Sequence, residues 1–295
     1  MRKMLAALTT LTVLALTMQP SGATFPGGNG KIAYSDQKQI HVVDPDGSDD
    51  VQLTFGDKRS RSPAWSPDGS KIAFLRGNKP SSLLIMNADG TDRTLIQRRI
   101  SKHRYYFFDR PAWSPDGTQI AFSTAARFFT SSNDRRWDLR LYVVNVDGSG
   151  LTRISRGRHQ DSWPSWSPDG NQIAFTTRRG LATMNPDGSN RTMLVRGGSD
   201  PDWSPDGSQI TYVHGVGRSA TDVFLANSDG TGRVRLTDTP DRWEFSPVFS
   251  PDGTKTAFID GTGRSEIFIM STAGTDVVRV VDMKVTGTVL SWQVT

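Results

Sequence analysis

The sequence predicts an all-β protein: a six-bladed β-propeller closed by pairing its N- and C-terminal segments in one blade. Three observations lead there. A unit spanning Pro63–Phe74 recurs as Pro111–Phe122, Pro164–Phe175, Pro201–Tyr212 and Pro247–Phe258. A turn of the form Asn-x-Asp-Gly follows four of these copies, at 87–90, 145–148, 185–188 and 227–230. The strand missing from the start of the first repeat stands at the far end of the chain. The aspartate of each Pro-Asp-Gly falls at Asp68, Asp116, Asp169, Asp206 and Asp252, spacings of 48, 53, 37 and 46. Periods of this length, made of short strands, indicate a propeller or a solenoid.

Each repeat reads as four strands. Pro-x-Trp-Ser is a short extended run, and Lys/Gln-Ile-Ala-Phe is the next. Between them, proline presets φ, aspartate bonds backbone groups ahead of it, and glycine tolerates positive φ, which makes a tight hairpin. Apolar runs such as Leu84–Met86 and Leu141–Val144 then lead into the Asn-x-Asp-Gly turn and a fourth strand. Ser271–Gly274 is a weaker version of that turn. Four antiparallel strands make one blade.

Taken in order, residues 24–30 are a lead-in. Lys31–Tyr34 matches Lys71–Phe74, Gln39–Val43 is a third strand, Asp44–Gly47 its turn and Val51–Thr54 a fourth. The first strand is supplied by Val289–Val294, whose Trp292 aligns with Trp65. Such closure hides the two edges an open sheet would expose. The composite blade is therefore 27–55 plus 289–295, and the others span about 61–99, 109–155, 162–196, 199–238 and 245–282. Linkers are short, so no second globular domain is expected. Between Arg98 and Arg110 the apolar residues cluster at Tyr105–Phe108 without helical spacing.

The 295 residues suffice for one large domain with its own core. There is no cysteine, hence no disulfide, thiolate ligand or site for a lipid anchor. Arg2 and Lys3, an apolar run from Met4 to Leu16 and the small residues Ser21–Ala23 read as a signal peptide over 1–23, with the propeller occupying 24–295. The run is too short and threonine-rich to span a bilayer, and no other stretch approaches the ~20 apolar residues a span requires. The expectation is export, periplasmic or secreted, without a lipid anchor or a membrane span after cleavage. Net charge is +5, and loss of Arg2 and Lys3 takes it to +3. Mild charge together with export argues against a nucleic-acid partner.

In an up-and-down blade both short turns share one face. The other face carries the loops between second and third strands and the blade-to-blade connections, which vary in length. Variable loops on a rigid scaffold are where binding usually resides. Here they interleave arginines with aromatics, residue types enriched at interface hot spots. The candidate binding set is Arg104, Tyr106, Arg135, Trp137, Arg158, Trp163, Arg242 and Trp243. Asp161 and Glu244 each precede a blade-opening proline by three residues, which is expected to put them at the channel mouth.

The repeated Trp-Ser-Pro-Asp-Gly-x-x-Ile-Ala-Phe and the downstream Asn-x-Asp-Gly resemble the TolB-type β-propeller repeat over about 27–295. The resemblance implies the propeller fold and, by analogy with TolB itself, a protein-binding platform in the periplasm that docks a peptidoglycan-associated lipoprotein. TolB also carries an N-terminal α/β domain, whereas this chain is expected to run from signal peptide straight into the first blade.

Three functions compete. The first is a non-enzymatic scaffold binding another envelope or extracellular protein through the variable face. The second is a carbohydrate or cell-wall binder, with Trp163, Trp243 and Tyr106 stacking on sugar rings. The third is a metal-dependent lyase or hydrolase at the channel mouth, using His103, His159 and His214 with Asp161 or Glu244; none of these spacings is a recognised ligand motif. No Gly-x-Ser-x-Gly elbow is present. Asp44–Asp50 resembles half a calcium loop but lacks the closing glutamate. The scaffold reading ranks first, with no cofactor expected.

Overall fold

The computed structural model describes residues 26–36, 38–77, 81–98, 106–129, 135–155, 160–216, 220–262, 265–282 and 289–295, with the backbone alone described for 106–108, 126–129 and 135–138. Blade one holds β1 (Asn29–Ser35), β2 (Ile40–Val43) and β3 (Val51–Gln52). Blade two is β4 (Ser60–Trp65), β5 (Lys71–Arg76), β6 (Ser82–Asn87) and β7 (Thr94–Gln97). Blade three is β8 (Tyr106–Trp113), β9 (Gln119–Phe129), β10 (Arg135–Asn145) and β11 (Thr152–Arg153). Blade four is β12 (Ser162–Trp166), β13 (Ile173–Thr177), β14 (Gly180–Met184) and β15 (Thr192–Arg196). Blade five is β16 (Gly198–Trp203), β17 (Gln209–Val216), β18 (Ala220–Asn227) and β19 (Val234–Arg235). Blade six is β20 (Glu244–Phe249), β21 (Lys255–Asp260), β22 (Glu266–Ser271) and β23 (Val278–Asp282). The last strand, β24 (Ser291–Val294), completes blade one as its innermost strand, in the order β24-β1-β2-β3. No described residue is helical.

The closure rests on specific contacts. Ile32 pairs with Trp292 and Ala33 with Ser291. The Trp292 indole donates to the Gly30 carbonyl at 3.0 Å. Ser291 Oγ accepts the Trp65 amide of blade two at 2.9 Å, and Gln293 Nε2 donates to the Gly69 carbonyl at 3.0 Å. On the other side, Asn29 Nδ2 donates to Asp252 of blade six at 2.8 Å.

The core lies between blades. Each inner sheet is covered on both faces, so its second strand reads as a continuous apolar run rather than an alternating one. Ile72, Ala73 and Phe74 are fully buried, as are Ile120, Ala121 and Phe122. The repeated tryptophans Trp65, Trp113, Trp166 and Trp203 are buried at the seams. Successive blades also interlock at the turns. A Cβ on Gly90 would stand 2.7 Å from the Leu53 carbonyl of the preceding blade, and one on Gly188 only 2.1 Å from that of Ile154. Both have φ above +80°, so the glycine is required twice over.

The Pro-Asp-Gly turns repeat one set of hydrogen bonds. Asp116 accepts from Ser114 Oγ at 2.6 Å, Thr118 N at 3.0 Å and Thr118 Oγ1 at 2.8 Å. Burial pushes its carboxyl up, but these donors outweigh that and hold it below the ordinary range. Asp46, whose calcium-like sequence drew notice, spends Oδ1 on Ser48 Oγ and Ser48 N.

Trp292→Ala removes a buried indole and the bond it makes from the closing strand to Gly30 of β1. It is expected to cost about 3–5 kcal/mol, read as a lower urea midpoint. An unchanged midpoint would contradict the closure described here.

Candidate functional site at the channel mouth

Every innermost strand from β4 to β20 carries one extra residue against its partner. The register jumps between Arg61 and Ala64, Asp109 and Ala112, Ser162 and Ser165, Ser199 and Asp202, and Phe245 and Val248. In each bulge the residue just before the proline is left-handed: Ser62, Arg110, Trp163, Asp200 and Ser246 have φ between +43° and +61°. This costs about 1–2 kcal/mol per residue. Strain of this kind concentrates where side chains are aimed at a site. Four of the five, Arg110, Trp163, Asp200 and Ser246, line a central cavity of ≈ 90 Å³.

These side chains form one network. Arg110 of blade three ion-pairs with Asp200 of blade five, with only 14% and 6% of the two side chains exposed. The Arg110 guanidinium lies 4.4 Å from the centre of the Trp163 ring of blade four. Trp163 Nε1 donates to Asp109 at 3.0 Å. The second oxygen of Asp200 accepts the Ser246 amide of blade six at 2.7 Å. The Asp200 amide donates to Thr176 Oγ1 at 2.9 Å. Burial pushes the Arg61 guanidinium of blade two below its ordinary value, and the charge of Asp109 opposes that shift. Deeper in the cavity, Asp202 accepts from Ser165 Oγ at 3.2 Å and from the Phe249 amide at 2.9 Å.

Of the candidate binding residues, Trp163 lines this mouth. Arg242 and Trp243 stand between blades five and six, where Arg242 ion-pairs with Asp260 and Trp243 is half exposed at 53%. Tyr106, Arg135 and Trp137, expected on loops, lie on strands β8 and β10, and their side chains are outside the described set. Arg104, Arg158, His103 and His159 lie outside the described residues. His214 sits on β17 with its ring nitrogens facing the Gly215 carbonyl at 2.9 Å and the Arg196 carbonyl at 3.1 Å. Among the described residues no group of three His, Asp or Glu is arranged to hold a metal ion.

Asp161 and Glu244, expected at the channel mouth, line the seams between blades instead. The bulge breaks the two-residue alternation just before the proline, so the cavity is lined by the residue next to the proline, Trp163 or Ser246, and not by the third residue before it. Asp161 takes a bidentate pair from Arg191, at 2.7 and 2.8 Å, and Arg191 also lies over Phe175. Glu244 has Val277 where Asp161 has Arg191, so its seam lacks that cation. Burial raises its carboxyl pKa, and Asp222 adds to this, against bonds from Thr237, Thr239 and the Val223 amide. Arg110 and Asp200 escaped the sequence reading as a pair. The available signal was the residue preceding each repeated proline.

The fold and this mouth define a class: a β-propeller with a charged, aromatic-lined opening to its central channel. The TolB beta propeller domain model matches residues 28–183, and the chain belongs to that family. A relative described as Protein TolB homolog, from Chlorobium luteolum, is 31% identical over 144 residues, covering 48% of this chain and 29% of the relative. The match thus spans under a third of that relative's length. Among solved structures, TolB from Acinetobacter baumannii superposes with a TM-score of 0.73 at 21% identity, over 90% of this chain and 67% of that one. An oligogalacturonate lyase in complex with manganese gives 0.59 at 17% identity, over 83% and 70%. At these identities the structural likeness shows the fold alone.

Because folded Glu244 holds its proton more tightly than the unfolded chain, its contribution to stability is present at low pH. It is lost as pH rises from the ordinary carboxylate range through the raised value. Glu244→Gln is therefore expected to gain melting temperature relative to the parent at pH 8 and to gain less at pH 4.5. An equal difference at both would remove the buried charge from the account.

Proposed function

We propose that this protein is an exported, non-enzymatic propeller that docks another envelope or extracellular protein on its variable face, with the channel mouth at the centre. The observation that carries the reading is the Arg110–Trp163–Asp200 network. It joins an arginine and a tryptophan in a largely desolvated, rigid setting, and these are the residue types and the environment of interface hot spots. Membership of the TolB propeller family supports a binding role. The N-terminal charge and apolar pattern support export, and the lack of cysteine supports the absence of a lipid anchor. Among the described residues no helix is long and apolar enough to cross a membrane. Half-exposed Trp243, beside Arg242, extends the docking surface toward blades five and six.

The test is capture from envelope extracts of the source cell on the immobilised mature chain. A hot-spot loss of about 2 kcal/mol corresponds to roughly 30-fold weaker retention, which is expected of Trp163→Ala. Trp243→Ala, at an exposed position, is expected to weaken the same partner without moving the melting temperature. Equal capture by the parent and both variants would overturn the assignment of this face.

A further inference from the structure

The hairpin of blade three is longer than its counterparts. β9 runs nine residues beyond Ile120, to Phe129. The equivalent strands β5, β13 and β21 end four residues beyond Ile72, Ile173 and Thr256, and β17 ends six beyond Ile210. At ~3.4 Å per residue the blade three hairpin extends about 17 Å past three of the others and about 10 Å past blade five. It does so on the variable face, because the second and third strands of a blade join on the side opposite the Asp-Gly turns.

The extension is patterned. Three successive rungs each pair an arginine with an aromatic residue: Arg127 with Trp137, Phe128 with Arg136, and Phe129 with Arg135. Alternation puts the middle rung on one face of the ribbon and the other two on the opposite face. A groove in a folded protein receives one face of a ribbon. A lipid headgroup layer surrounds an inserted ribbon on both faces, accepting aromatic rings at the interface while phosphates pair with arginines.

The charge of the arm suits such a layer. The Asp-Gly turns of all blades lie on the opposite face. Nine of their aspartates, Asp68, Asp116 and Asp229 among them, are held below the ordinary carboxylate range by their own turns. The projecting segment carries Arg127, Arg135 and Arg136 against Asp138 among its described residues 126–129 and 135–138, a net charge of +2. A cationic arm is attracted to an anionic surface, and the acidic turns stand at the far end of the molecule.

We propose that the projecting hairpin of blade three is a docking arm for an anionic phospholipid bilayer, its Arg127–Trp137, Phe128–Arg136 and Phe129–Arg135 rungs entering the headgroup layer. This goes beyond the protein-docking reading and does not depend on it.

The experiment is flotation of the mature chain with vesicles of phosphatidylcholine alone or mixed with phosphatidylglycerol. The parent is expected to float with the mixed vesicles only, and less so as salt is raised. The combined Arg127→Gln, Arg135→Gln, Arg136→Gln variant is expected to bind at least about tenfold more weakly, as is Phe128→Ala with Phe129→Ala and Trp137→Ala. Trp243→Ala is expected to float like the parent while losing protein capture, which separates this proposal from the protein-docking one. Because the chain has no cysteine, Phe129→Cys carrying an environment-sensitive fluorophore gives a second readout in an otherwise native arm. Its emission is expected to shift to the blue with anionic vesicles, and that of Asn171→Cys on the turn face to stay unchanged. Failure of the parent to float with anionic vesicles, flotation unaffected by either combined variant, or an unshifted Phe129→Cys probe would each overturn the proposal, including in favour of a protein groove for the arm.

Discussion

The pairing of Ile32 with Trp292 is the interaction on which the remaining structure depends. Six sheets surround an axis only if the sixth is pinned to the first. Here the pin is a strand contributed from the opposite end of the chain, clasped by Trp292, Ser291 and Gln293 to blades one and two. With the ring closed, every inner sheet finds a neighbour on both faces. Its strands can then be apolar throughout, and no inner edge is left open. The channel exists because six innermost strands are held at a fixed distance from one axis.

Within that ring, the bulge before each proline turns a repeat into a site. Proline has no amide hydrogen, so a ladder bond omitted beside it leaves no donor unsatisfied. The extra residue is free to take a left-handed conformation and to face the axis. The repeat conserves the device while the residue varies: Ser62, Arg110, Trp163, Asp200 and Ser246. Arg110 reaches Asp200 across blade four because both occupy the same strained position two blades apart. Strain, ion pair and stacked indole form a single rigid opening.

The two faces differ in what they can vary. On the turn face, aspartate and glycine are required by the hydrogen bonds and by the carbonyl of the preceding blade. On the other face, strands can lengthen without disturbing the seams, as β9 and β10 do. The seams tolerate different answers as well: Arg191 neutralises Asp161, whereas Glu244 is met by hydroxyls and an amide.

Much of the architecture was legible in the repeats. Turn chemistry, the Ile-Ala-Phe strand and the orphan Trp292 are local signals, and each states its own geometry. The site was legible only in part. Trp163 could be named, but Asp161 and Glu244 were placed at the mouth by standing three residues before a blade-opening proline, and the bulge gives that place to the residue next to the proline. Tyr106, Arg135 and Trp137 were read as loop because strand length beyond the sheet has no marker in composition. The sequence alone determined the number of blades, their turns and how the ring closes, since these follow from backbone preferences of a few adjacent residues. Only the tertiary structure decided which side chains meet at the axis, because Arg110 and Asp200 are ninety positions apart and join through the ring rather than along the chain.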